Sequence, residues 1–189
     1  MKAYESWGRY PRSEPARVIP LFWANEPLPE RAAGDSLLAF GQGRSYGDSC
    51  LNNGGTLLDT ASLARFISFD ADAGRLRCEA GITFDEILDV IVPRGWFLPV
   101  SPGTRFVSLG GAIANDVHGK NHHVAGTFGT HVTRLAMLVR PKESLLTAVS
   151  AVAQVGRVFS PRGFPRLVER PRGRGTSRGD AIRVPSPPA

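Results

Sequence analysis

The stretch Ser36-Leu37-Leu38-Ala39-Phe40-Gly41-Gln42-Gly43-Arg44-Ser45-Tyr46-Gly47-Asp48 sets the reading of the whole chain. Residues 36–40 form a short apolar run, the pattern of a buried strand. The run empties directly into an octet with glycine at 41, 43 and 47. Glycines packed this closely mark a tight loop that takes positive φ or lets a ligand approach the backbone. A strand that ends in such a loop exposes successive N–H groups, which suit an anion and a diphosphate in particular. Arg44 adds a fixed positive charge and Ser45 a hydroxyl donor. The spacing is not GxGxxG, and no Lys-Ser/Thr follows as in a Walker A loop, so a tight surface turn stays open as the alternative.

Outward from this loop, Thr56-Leu57-Leu58-Asp59 reads as a second strand. Ile67-Ser68-Phe69 and Arg75 to Ala80 alternate around Asp70–Gly74, the pattern of a hairpin. Thr83 and Glu86 form a capping box that opens a helix carrying Ile87, Leu88, Val90 and Ile91, stopped by Pro93 and Gly95. Trp96 to Val100 is extended, and Ser101–Thr104 is a turn. Ser108 to Ala114 reads as a short helix entered through glycine, Asp116 to His123 as a polar loop, and Val132 to Arg140 as a strand. Residues 1–36 are punctuated by proline and read as an irregular lead-in with one short helix around Glu30. Short strands, a hairpin and single helices add up to an α+β fold.

Two further stretches carry chemistry. Pro102-Gly103-Thr104 through Gly110-Gly111-Ala112 is a second glycine-bearing loop, and two such loops could clamp one dinucleotide from two sides. His118, His122 and His123 fall within six residues. That clustering suggests a metal, yet Gly119 disfavours a helix, and no cysteine or carboxylate completes a tetrahedral set beside Asp116. The expectation is no metal. The histidines and Lys120 either line an anionic ligand or redox cofactor or are ordinary loop residues.

The chain has 189 residues, enough for one domain or one and part of a second. With 42% hydrophobic residues it can pack a core, which excludes a collagen-like, coiled-coil or wholly disordered chain. No apolar run is long enough for a transmembrane helix, and no secretory h-region is visible. Cys50 and Cys78 form no CxxC pair, so reduced thiols and a cytoplasmic location are expected.

The net charge of +6 sits at one end. Residues 157–189 hold eight arginines, no lysine and two acids, while 1–156 are balanced. This tail also carries six prolines and four glycines and has neither a helical nor a strand period, so disorder is expected. It reads as a polyanion-binding arm, as an inert extension, or as out-of-frame translation or a genuine truncation. The absence of lysine and of any apolar period favours the last. Nucleic acid is not the expected partner.

GQGRSYGD at 41–48, PGTRFVSLGGAIANDVHGKNHH at 102–123 and TFGTHV at 127–132, in this order, resemble the flavin domain of the vanillyl-alcohol-oxidase/p-cresol-methylhydroxylase family. Within it, the branch of decaprenylphosphoryl-ribose oxidase and the sugar-lactone and alditol oxidases is most similar. The resemblance covers roughly 36–140. It implies an organisation of lead-in (1–35), incomplete FAD-binding subdomain (36–140) and atypical tail (141–189). It implies that Gly41, Gly43, Arg44, Ser45, Tyr46, Gly47 and Asp48 wrap the FAD diphosphate. Gly103, Ser108, Leu109, Gly110 and Gly111 would line its other side, and Asn115, Asp116, Val117 and His118 would approach the flavin. Where some relatives attach FAD through a histidine this chain has Arg44, so the implied FAD is noncovalent. The implied chemistry is oxidation of a CH–OH group of a sugar-like small molecule, with hydride passing to FAD. The family's catalytic and substrate residues lie mostly C-terminal to position 140, where this chain departs from the pattern. A truncated, non-catalytic remnant is therefore an alternative, and peripheral membrane association of a longer parent stays open. Nothing in the residues specifies an oligomer.

Overall fold

A computed structural model describes residues 2–30, 33–139, 146–154 and 156–157. The arrangement is α+β, as expected, and is built on two sheets. The first is parallel, with β1 (Arg17–Pro20) and β2 (Leu37–Phe40) on either side of β3 (Thr56–Asp59). The register pairs Arg17 and Leu37 with Thr56, and Pro20 and Phe40 with Asp59. All four residues of β3 are buried, which is why this strand reads as an apolar run rather than an alternation.

Strand β1 runs through the stretch read as an irregular lead-in. Its four residues carry a proline and pair with a strand some forty positions away, so no local pattern announces them. Proline is tolerated because β1 is an edge strand. Glu30 itself is not helical, and residues 31–32 lie outside the described residues.

The second sheet is antiparallel, in the order β4 (Phe66–Asp70), β5 (Arg75–Glu79), β8 (Leu146–Gln154), β7 (Val132–Val139). The hairpin β4–β5 is the expected one. Strand β8 falls within the stretch read as an atypical tail (141–189), and its backbone is central, pairing Arg75–Glu79 on one side and Val132–Val139 on the other. A two-stranded ladder joins β6 (Trp96–Phe97) to β9 (Gly156–Arg157). The disordered-tail reading of 158–189 falls outside the described residues.

Helix α1 (Phe84–Ile91) starts as its capping box dictates. Thr83 Oγ1 accepts from the Glu86 amide at 3.2 Å, and Glu86 Oε2 accepts from the Thr83 amide at 2.8 Å. Phe84, Ile87 and Ile91 face inward. Gly95, at φ +80°, ends the following 3₁₀ turn in the left-handed conformation. Helix α2 (Leu109–Ala114) is capped by Ser108. The loop expected over 116–123 stops at Asn121, and His122 opens a single turn, α3 (His122–Ala125). The main core joins Leu76, Cys78, Phe84, Ile87, Trp96, Val100, Leu109 and Phe128. A smaller core of Leu21, Leu58 and Leu63 lies with the parallel sheet. Among the described residues, no helix is long and apolar enough to cross a membrane.

Candidate functional site

The octet 41–48 leaves the carboxyl end of β2, held at its root by the Phe40 carbonyl, which accepts from both the amide and the hydroxyl of Thr60 at 3.0 Å. Gly43 and Gly47 take φ +61° and +68°. Among the described residues, none of the amides of Gly41, Gln42, Gly43 or Arg44 donates to a protein acceptor. A row of unpaired donors beside an exposed guanidinium is the arrangement that receives an anion. Gly43 is buried, whereas Arg44, Tyr46, Gly47 and Asp48 are exposed.

The second stretch meets the first. A Cβ on Gly41 would lie 2.5 Å from Ser108 Oγ. Its amides are used differently, however. Leu109 N–H donates to the Ile82 carbonyl at 2.7 Å, Gly110 N–H to the Ala80 carbonyl at 2.7 Å, and Gly111 N–H to Ser108 Oγ at 3.2 Å. The Leu109 side chain is buried in the core. Gly110 lets the helix start press against Ala80, since a Cβ there would lie 3.0 Å from the alanine methyl. Residues 108–111 thus form a rigid wall rather than a second row of free donors. Gly103 borders open space.

Beyond α2 the chain folds back on itself. Asn115 Nδ2 donates to the Gly111 carbonyl at 2.9 Å. Asp116 takes φ +42°, and its Oδ1 accepts from the Gly129 amide at 2.9 Å. The carboxylate therefore ties the second motif to the TFGTHV stretch. Val117 receives the Phe128 amide on its carbonyl at 2.8 Å. His118 is exposed and borders an open groove of about 570 Å³ with Ser101, Pro102, Gly103, Lys120 and His122. One lysine and two imidazoles line it, and no acid does. The rings of His118 and His122 are edge to face at 5.7 Å, and those of His122 and His123 at 5.9 Å. His122 Nδ1 lies 3.1 Å from the Gly119 carbonyl. Among the described residues, no group of three or more His, Cys, Asp or Glu side chains could hold a metal ion.

Two neighbours of the first loop escaped the sequence reading. Cys50 meets it at Ser45. Burial pushes its thiol pKa up, while hydrogen bonds from its own amide and from Ser45 pull the other way. The segment 2–7 lies along the loop, with Trp7 N–H donating to the Ser45 carbonyl at 3.0 Å. Neither has a local signal, because both contacts depend on the turn taken by the loop.

Residues 30–148 match the FAD binding domain family. The chain belongs to this family. FAD is its cofactor, and the donors and charge of the first loop fit the diphosphate of such a ligand. Over 105 residues the chain is 45% identical to decaprenylphosphoryl-beta-D-ribose oxidase of Mycolicibacterium smegmatis, covering 56% of this chain and 23% of that one. It is 44% identical over 57 residues to an uncharacterised protein of Streptomyces coelicolor, 30% of this chain and 16% of that one. In fold it is similar to alkyldihydroxyacetonephosphate synthase, with TM-score 0.56 and 15% identity, covering 67% of this chain and 28% of that one. The chain thus spans about a quarter of the length of these better-covered relatives.

Proposed function

We propose that this FAD binding domain holds its cofactor noncovalently, with the diphosphate over Gly41–Asp48, and serves an oxidoreductase acting on a CH–OH group of a sugar-like molecule. The observation that carries the proposal is the row of unpaired amides at 41–44 beside Arg44. In this reading Gly43 and Gly47 supply the left-handed turns, Arg44 balances phosphate charge, Ser45 braces the loop on Cys50, and the exposed Tyr46 is free to cover the ligand. Asp48 contributes its carbonyl, which accepts from Leu51 N–H at 2.8 Å, and not its carboxylate, which a diphosphate would repel.

Gly103, Ser108, Leu109, Gly110 and Gly111 form the opposite wall through packing. Asn115, Asp116 and Val117 fix the path of the chain, and Lys120 presents positive charge beside the His118 imidazole at the groove where the ring end would lie. FAD, when bound, supplies the hydride acceptor. The substrate class rests on the ribose derivative in the name of the relative from M. smegmatis. The unit that holds FAD is proposed to comprise residues 36–140 with β1 and β8. Free thiols at Cys50 and Cys78 support a reducing, cytoplasmic setting.

The test is titration of the purified full chain with FAD, followed by absorbance and flavin fluorescence. Saturable uptake is expected, with the flavin released into the supernatant by acid precipitation. Replacing Arg44 with alanine should weaken binding about tenfold, the loss of one charge-assisted contact. Folded protein that takes up no FAD overturns the reading. Flavin that stays with acid-precipitated protein overturns the noncovalent part alone.

A further inference from the structure

The first glycine loop has few hydrogen bonds of its own beyond the contact of Ser45 with Cys50. It takes positive φ at two positions, and its first four amides make no internal bond. Among the described residues, a single backbone hydrogen bond ties 41–46 to another segment, from Trp7 N–H to the Ser45 carbonyl. What packs against the loop therefore bears on its geometry.

Residues 2–7 follow the loop almost residue for residue. Lys2 Nζ lies 2.7 Å from both carboxylate oxygens of Asp59, and Tyr4 OH donates to Asp59 Oδ2 at 3.0 Å. Asp59 is itself buried at the end of β3. The Tyr4 ring meets that of Phe40, the residue before the loop, edge to face at 5.2 Å. The Glu5 carbonyl fills the space that a Cβ on Gly43 would need. Ser6 is 4% exposed, so the segment is seated and not merely laid on the surface. The Arg44 guanidinium lies over the Trp7 ring at 5.5 Å. Tyr4, Glu5 and Trp7 thus address positions 40, 43 and 45 in order.

We infer that residues 2–7 are a strap that sets the conformation of the first glycine loop, anchored at Asp59 and closed by Trp7, and that its seating determines cofactor affinity. The affinity clause rests on the reading of this loop as the FAD site; the conformational clause does not. Trp7 and Lys2 are positioning residues.

The experiment is limited trypsin digestion of the full chain without FAD, scored at Arg44 in the loop and at the exposed Arg94 after α1. Trp7→Ala should speed cleavage after Arg44 about two- to fivefold, the worth of an exposed cation–π contact. Cleavage after Arg94 should not change. Trp7→Phe, which keeps an aromatic face, should restore the slow rate. A second variant, Lys2→Met, loosens the other anchor and should act at Arg44 in the same direction. FAD titration of the same proteins should show affinity falling by the same factor. Unchanged cleavage at Arg44 in both variants overturns the inference, as does equal acceleration at both arginines, which means general unfolding. Wild-type protein that binds no FAD overturns the cofactor reading and with it the affinity clause. The digestion then still decides the strap.

Discussion

Gly41 and Ser108 touch across 67 positions of sequence. The hydroxyl that caps α2 occupies the space where a Cβ on Gly41 would stand, at 2.5 Å. The contact fixes the spacing between the first loop and the wall opposite it. Alanine at position 41 must push Ser108 Oγ off the Gly111 amide or shift the loop. Gly41→Ala is expected to lower stability by about 1–2 kcal/mol, the worth of an N-cap. Ser108→Ala alone loses the cap, while Gly41→Ala/Ser108→Ala relieves the clash. The double variant should therefore lose less than the two singles summed. Urea unfolding of the four proteins measures the coupling.

Asp116 and Gly129 form a comparable link on the other side of the site. Asp116 sits at positive φ, which aspartate and asparagine tolerate better than alanine. Its Oδ1 accepts the Gly129 amide. Asp116→Asn keeps an oxygen acceptor and the backbone tolerance, so a small loss is expected. Asp116→Ala loses both and should cost about 1–3 kcal/mol. Thermal unfolding of the two variants beside wild type distinguishes them; equal losses would assign the effect to charge.

Glycine at 43 answers to two constraints at once, positive φ and the adjacent Glu5 carbonyl. The obstacle is backbone, so it cannot swing away as a side chain would. Gly43→Ala should weaken FAD binding more than Gly47→Ala, because Gly47 has the same sign of φ but open space around it. Flavin fluorescence titration ranks them, and an equal effect would mean that the turn alone matters.

Cys78 lies in the main core, 1% exposed. Burial, with the nearby Glu79 carboxylate adding to it, pushes its thiol from the ordinary 9.0 up to about 12. The neutral thiol is favoured in the folded state. Its contribution to stability is complete below pH 9 and is lost as the pH rises toward 12. Wild type should therefore lose stability across that window more steeply than Cys78→Val. At pH 8 a thiol reagent should modify Cys50 in folded protein and reach Cys78 only after denaturant is added. Rapid native labelling of both would contradict this burial.

Thr83 offers a local test. Removing its hydroxyl leaves the Glu86 amide without a side-chain acceptor, so Thr83→Ala should cost about 1 kcal/mol. Affinity for FAD at saturation should not change. Urea midpoints and the flavin titration read the two effects separately.

The elements legible in the sequence are those whose causes are local. The Thr83–Glu86 capping box lies within one helical turn. The β4–β5 hairpin alternates around its own turn, and the run 37–40 ends in glycines. These signals, with the three motifs, were sufficient for the α+β class, the flavin-domain resemblance and the candidate residues. Strands β1 and β8 were not legible. A four-residue edge strand containing proline has no pattern of its own. Strand β8 runs almost directly into a stretch, 157–189, whose composition departs from the rest of the chain.

What only the tertiary structure decided is how the candidate residues divide their tasks. Sequence makes the two glycine loops look like two sides of one dinucleotide clamp. The fold leaves the amides of 41–44 unpaired and uses those of Leu109, Gly110 and Gly111 against Ile82, Ala80 and Ser108. It joins the Asp116 carboxylate to the Gly129 amide and lays residues 2–7 against the first loop. Each of these contacts joins segments whose separation in sequence carries no periodicity. A residue type states what a group can donate or accept, and only the packed chain states which partner it meets.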